Sequence, residues 1–404
     1  MSVETTTSKA RKPVPRGIAR SGPPLLSYGF RPFFLVAGLF ALLAMALWIG
    51  ALMQGWEIGG DYGMVNWHGH EMLFGYTSAA LAGFMLTSIP NWTGRLPVSG
   101  PQLLGLVLLW LVGRMVMAVP GLLGLVGSAM VDGVFLPVLA VVAGIEIVAG
   151  RNWKNLKILA GLVTLSLANA AYHFSVIVDG SALPASRAAV SIYIMLIVLV
   201  GGRIVPSFTR NWLVKAGVTR LPSPFSRFDI AAMAWLLVTL VLWVALPDNP
   251  ITAFAAVAAA GLHAVRLARW QGWRTLEEPL LLGLHVGYAF VPLGLATVAL
   301  AAMGWLATAS ALHVLTVGAI GGMTLAVMTR ASLGHTGRRL TASLPTSLAY
   351  LGLALAAVLR PFAELVPSLY QPLLGLSGAC WLIAFGLYCC EYGPMLVSPR
   401  VKGS

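Results

Sequence analysis

The chain has 404 residues, of which 58% are hydrophobic and only 10% charged, with a formal net charge of +13. This excludes a string of soluble domains and leaves one polytopic membrane domain. The positive balance does not imply a nucleic-acid partner, because Lys and Arg sit in short clusters between apolar runs and form no extended basic face.

In chain order, residues 1–29 are polar, basic and rich in Ser, Thr and Pro, and read as a disordered tail with no cleavable signal. A membrane-spanning helix needs about 20 mostly apolar residues. Twelve such segments follow, at 30–53, 67–90, 101–118, 126–149, 156–178, 187–206, 229–246, 250–268, 279–302, 308–329, 344–363 and 370–395. The spanning domain covers 30–396 and a short tail covers 397–404. Gly, Pro, Asn and Asp punctuate the connections. The three cysteines, Cys380, Cys389 and Cys390, share the last segment without metal-binding spacing and read as small apolar residues.

With the N-terminus cytoplasmic, 22 of the 26 Lys and Arg fall in cytoplasmic tails, connections or helix ends, leaving Arg114, Arg187, Arg203 and Arg360 within the spans or elsewhere. The opposite loops carry mainly acids: Glu57, Asp61, Asp179 and Asp248. The positive-inside rule therefore predicts twelve spans with both termini cytoplasmic. Segments two, six and ten end alike, in "AGFMLTSIPNWTGR", "VGGRIVPSFTRNWL" and "IGGMTLAVMTRASLGHTGR", with Gly83, Gly202 and Gly322 at nearly equal intervals. This suggests three four-helix units around a pseudo-threefold axis. The Gly-rich "GAIGG" at 318–322 lies inside a segment and reads as close helix packing.

Of seven histidines, all but His335 lie in or at the ends of predicted spans. Ionisable groups in a membrane mark function by default. The topology places His68, His70, His173 and His313 near the outer face, and His263 and His285 near the inner face. Neutral imidazole suits haem iron and copper. The inner pair, one histidine from each of two helices, suits bis-histidine haem. Arg203, Arg210, Arg266 and Arg330 lie on the correct side for its propionates. Topological anchoring explains most of these arginines, but Arg203 sits within an apolar run. In "NWHGHEMLFGY" (66–76), His68 and His70 point about 200° apart on an unbroken helix. They then serve different partners, unless the helix breaks at Gly69. On an unbroken helix His68 shares a face with Glu71 and Met72, and His70 with Phe74 and Thr77.

The stretches "RPFFLVAGLFALL" (31–43), "WHGHEMLFGY" (67–76), "TSIPNWTGRLP" (87–97), "GGRIVPSFTRNWL" (201–213) and "HVLTVGAIGGMTLAVMTRASLGHTGR" (313–338) together resemble the NnrS family. The resemblance implies a bacterial inner-membrane protein with haem, of b type, and copper. It also implies a link to denitrification and to resistance against nitric oxide and nitrosative stress. The metals carry over as His68, His70, His173, His263, His285 and His313, undivided between haem and copper. The haem candidates are His70, His313, His263 and His285, with Arg203 and Arg330 as cationic partners. The architecture is expected to follow haem–copper oxidase subunit I, without that family's adjacent His-His pair. Nitric oxide and an electron donor or partner membrane protein are the expected partners. Three functions stay open here: a metal-dependent oxidoreductase acting on nitric oxide, a non-enzymatic haem-linked sensor or protector, and a secondary transporter of metal or haem.

Overall fold

The computed structural model describes residues 22–401, so most of the expected 1–29 tail and the last three residues lie outside the described range. Twelve helices are long and apolar enough to cross a membrane: α1 Phe30–Gln54, α2 Met64–Thr93, α3 Gly100–Ala118, α4 Gly124–Ala149, α5 Trp153–Asp179, α6 Leu183–Lys215, α7 Arg227–Ala245, α8 Pro250–Arg274, α9 Pro279–Ala302, α10 Thr308–His335, α11 Leu344–Leu365 and α12 Pro367–Val397. Each predicted segment corresponds to one helix, and no strand occurs among the described residues.

Several predicted ends were short, and at two of them the helix runs on through a proline. α2 continues through Pro90 to Thr93 and α6 through Pro206 to Lys215. A proline interrupts one ladder bond but does not have to stop a helix. The stop in α2 is Gly94, which takes φ 72° and returns its N–H to the Pro90 carbonyl.

The helices form three successive arcs, α1–α4, α5–α8 and α9–α12. α4 meets α5, α8 meets α9 and α12 meets α1, which closes the ring. α2, α6 and α10 meet one another in the middle. This is the pseudo-threefold arrangement expected from the repeat, and it differs from the paired six-helix halves of a secondary transporter. Burial follows position: 78% of the most apolar window of α2 is buried, against 28% for peripheral α11. Apolar side chains such as Leu39, Leu167 and Phe254 face outward, as a lipid-facing surface requires.

Glycines let the central helices approach closely. A Cβ on Gly322 would sit 3.1 Å from the Gly287 Cα, and one on Gly287 would sit 2.9 Å from the Met323 nitrogen. The "GAIGG" run is therefore a packing surface, as read from the sequence. The chain ends are tied together at Arg31, whose Nη1 donates to the Leu396 and Ser398 carbonyls at 2.8 and 2.7 Å.

Two of the three helices that carry outer histidines, α2 and α10, contain a widened turn with i→i+5 spacing. In α2 it covers Glu71–Tyr76, directly after His70; in α10 it covers Val314–Gly321, directly after His313. A widened turn frees backbone carbonyls, which must find other donors when buried. In α2 three carbonyls of the turn accept side-chain donors, Met72 from Thr77 Oγ1, Leu73 from Tyr193 Oη and Gly75 from Trp110 Nε1.

Candidate metal centre

The four outer histidines do not form one group; they divide into two pairs. Helix α2 contributes one residue to each. His68 and His313 flank a cavity of about 400 Å³, with Arg360, Trp48, Tyr76 and Trp381 also on its walls. His70 and His173 lie behind α2, with ring centroids 4.5 Å apart. His68 and His70 thus serve different environments, as their angular separation predicted. Helix α2 runs unbroken through Gly69, whose role is space: a Cβ there would lie 2.5 Å from the Tyr172 hydroxyl, which donates to the Asn66 carbonyl.

Glu71 departs from expectation. It leaves the His68 face and joins His70, because the widened turn begins at Glu71 and Arg114 holds it there. Met72 stays beside His68 on the cavity wall, and Phe74 stays beside His70 at 5.3 Å between centroids.

The second site is built by five segments. His70 and Glu71 come from α2, Arg114 from α3, Asp132 from α4, and Asn169 and His173 from α5; Tyr62 comes from the loop before α2. Asp132 sits where α4 is interrupted, just before the turn at Gly133 and Val134. Gly113 leaves the space it occupies, since a Cβ there would lie 3.1 Å from its Oδ1. His70, Glu71, Asp132, Asn169 and His173 are all at most 3% exposed.

Bond directions constrain the chemistry. His70 Nδ1 lies 2.9 Å from Glu71 Oε1, a carboxylate oxygen that only accepts. His70 Nε2 lies 3.0 Å from Asn169 Oδ1 and 3.2 Å from Asp132 Oδ2. The Asn169 amide cannot be turned to help, because its Nδ2 already donates to Asp132 Oδ2 at 3.0 Å. Acceptors therefore face both nitrogens of one imidazole. A second proton on His70, or a metal ion at Nε2, resolves the conflict. His173 Nε2 lies 3.0 Å from the same Asp132 oxygen, and its Nδ1 lies 3.0 Å from the Tyr62 hydroxyl. That hydroxyl donates or accepts but the Asp132 oxygen only accepts, so without a metal His173 carries its proton on Nε2 and accepts from Tyr62 at Nδ1. Burial, and then the neighbouring Tyr172 and Glu71, push the Tyr62 phenol well above its ordinary value and keep it protonated. One atom each from His70, Asp132 and His173 lie within 4.8 Å of one another, a spacing that can hold a metal ion. Arg114 bridges the two carboxylates, Nη1 to Glu71 and Nη2 to Asp132.

At the first site His313 Nδ1 donates to the Ala309 carbonyl at 2.7 Å, which leaves Nε2 available. His68 stacks on Trp48 at 4.1 Å, and its buried Nδ1 has no partner.

The inner histidines are arranged differently. His263 Nδ1 meets the Tyr288 hydroxyl at 2.9 Å and His285 Nε2 meets Thr209 Oγ1 at 2.8 Å. They are linked only through a run of aromatic contacts, His263 to Tyr288 to Trp270 to His285. The free Nδ1 of His285 presses on Gly272, where a Cβ would come within 2.5 Å. Arg266 is buried on Asp229 and the Tyr288 hydroxyl, at 3.0 Å each. Arg203 and Arg330 share one inner cavity that neither inner histidine lines.

Sequence reading missed Asp132, Asn169, Tyr62 and the role of Arg114. A faint signal existed, since Arg114 and Asp132 are charges within apolar runs that topology does not explain. A comparison with curated proteins finds no match to this chain. Residues 24–400, nearly the whole chain, match the family described as NnrS protein, and the chain belongs to the NnrS family.

Proposed function

We propose that the protein binds haem and copper in the bacterial inner membrane, with both termini cytoplasmic, and handles nitric oxide in its turnover or in resistance to nitrosative stress. The observation that carries this is the division of His68 and His70, both on α2, between a cavity shared with His313 and a separate His70–Asp132–His173 cluster whose spacing can hold a metal ion.

Haem, of b type, would be held by His68 and His313. Imidazoles from α2 and α10 reach one apolar cavity, an unpartnered ring nitrogen lies there, and Arg360 supplies a cation for a propionate. Copper fits His70, Asp132 and His173. Glu71 and Asp132 carry two negative charges and Arg114 one positive, so a monovalent ion such as copper(I) neutralises the set. Glu71 holds His70 by its other nitrogen and Tyr62 holds His173 in the same way, which fixes both rings for ligation. The bound metals would supply redox chemistry and affinity for a diatomic gas. The protein supplies orientation, exclusion of water and charge balance.

Optical and metal analysis of the purified protein tests the reading. His68→Ala and His313→Ala should lose the Soret band and keep copper. His70→Ala, His173→Ala and Asp132→Asn should lose copper and keep haem. No Soret band, or parallel loss of both metals in every variant, would count against it. Nitric oxide consumption with a reductant, scaled to haem content, separates turnover from sensing.

A further inference from the structure

The three repeated segment ends, unused by the metal sites, converge at the basic face. Thr87–Trp92 of α2, Arg203–Phe208 of α6 and Val327–His335 of α10 supply most of the wall of one cavity of about 430 Å³. Arg203 also lines an adjoining chamber of about 620 Å³, with Lys157 and Arg210. Arg203 therefore stands between two adjoining basic cavities, one lined also by Arg330 and the other by Lys157 and Arg210, and among the described residues no carboxylate lines either. Glu278 is engaged by the amides of Leu280 and Ala342 and stays outside. Arg330 is held flat over the Phe208 ring at 4.2 Å, and Arg203 Nη1 is anchored on Asn155 Oδ1 at 3.1 Å.

Positive-inside anchoring asks only for cations near the face. It does not ask four of them to line two adjoining cavities together with Asn91 and Ser88 in one and Ser207 in the other. Helix-end electrostatics does not explain Arg203 either, because it lies about three turns before Lys215, the end of α6, and that effect fades within one turn.

We propose that these adjoining cavities bind a phosphate group, and that its source is the headgroup of an anionic phospholipid. Guanidinium groups and hydroxyls recognise phosphate oxygens. The space exceeds what a free oxyanion needs. Leu199, Phe225 and Met233 give it apolar walls for a glycerol backbone. Basic pockets between spanning helices at the positive face are suited to such lipids. The proposal does not depend on the metal reading.

The test uses the full chain in detergent, supplied with phosphatidylglycerol, phosphatidylcholine or inorganic phosphate. Bound lipid is counted by native mass spectrometry and stability is followed by thermal unfolding. Phosphatidylglycerol should be retained and should raise the unfolding temperature more than the other two. Arg203→Gln and Arg330→Gln should each lower its retention about tenfold, and Arg203→Lys should largely preserve it. Arg220→Gln, an exposed basic residue on the α6–α7 connection outside the chamber, should retain lipid like the unaltered protein. Equal retention across Arg203→Gln, Arg330→Gln and the unaltered chain would overturn the site, as would an equal loss in Arg220→Gln. Stabilisation by inorganic phosphate matching that by phosphatidylglycerol would overturn the lipid source.

Discussion

Arg114 sets the state of its neighbours because it is the one guanidinium placed between Glu71 and Asp132. Removing one partner of a buried ion pair leaves an uncompensated charge, at a cost of about 3–5 kcal/mol. Arg114→Met should therefore destabilise the protein by roughly that amount in chemical unfolding, and adding Asp132→Asn should recover part of the loss. If the double variant were no better than the single one, charge balance would not be what Arg114 provides. Tyr62 lies outside the spans and offers a pH test. An unfolded tyrosine titrates near 10, whereas burial raises the folded value above that. Above about pH 10 the unfolded chain then releases a proton that the folded chain keeps, so stability falls with rising pH. Below that range the contribution is fully present. Tyr62→Phe should flatten the alkaline limb of the stability profile and leave its shape at neutral pH unchanged. At this scale the sequence was only half legible. His68 and His70 announced themselves as polar groups in an apolar run. Asp132 and Arg114 lie in different spans, and only the fold brings them together.

Elements were read more easily than their internal geometry. Apolar run length was enough to find all twelve spans, because a bilayer imposes one length on every crossing. The widened turns in α2 and α10 left no trace in hydropathy. They depend on Tyr193 and Trp110 capturing freed carbonyls from other helices, and a linear pattern cannot show that. For the same reason the sequence put Glu71 on the wrong face. Close packing of α9 on α10, by contrast, was visible as glycine. Gly287→Ala would push a Cβ against the Met323 nitrogen and the Gly322 carbonyl carbon, at 2.9 and 3.0 Å. Backbone cannot yield as a flexible side chain can, so a loss of about 1–3 kcal/mol is expected. Gly105→Ala, which meets nothing within 4 Å, is the matched control and should be neutral or gain about 0.5–1 kcal/mol from helix propensity. Thermal unfolding of the two variants side by side gives the comparison, and equal behaviour would refute the close-approach account.

Across the whole molecule, the meeting of α2, α6 and α10 produces a line of cavities. A central chamber of about 80 Å³ lies between the outer cavity of about 400 Å³ and the inner one of about 430 Å³ and shares walls with both. Thr77 and Ile320 line both the outer and central parts, and Phe34, Val200 and Val327 line both the central and inner parts. The polar atoms around the centre are already committed: Thr77 Oγ1 donates to Met72, Tyr193 Oη to Leu73 and Thr324 Oγ1 to Ile320. With these hydroxyl protons committed, a water there would find no donor among them and too few partners, and a small cavity walled mainly by apolar groups stays dry. A small apolar gas has no such requirement. The chamber should therefore take up xenon under pressure, seen as a site between Ile197, Ile204 and Met323 in crystals or as a shifted 129Xe resonance. Ile197→Trp should fill the space and abolish that site while leaving the outer cavity's xenon or ligand occupancy in place. Ordered water in the centre, or xenon uptake unaffected by Ile197→Trp, would sink the idea. Uptake as expected would give nitric oxide an apolar route along the axis to the cavity flanked by His68 and His313, with the cationic chamber closing the other end.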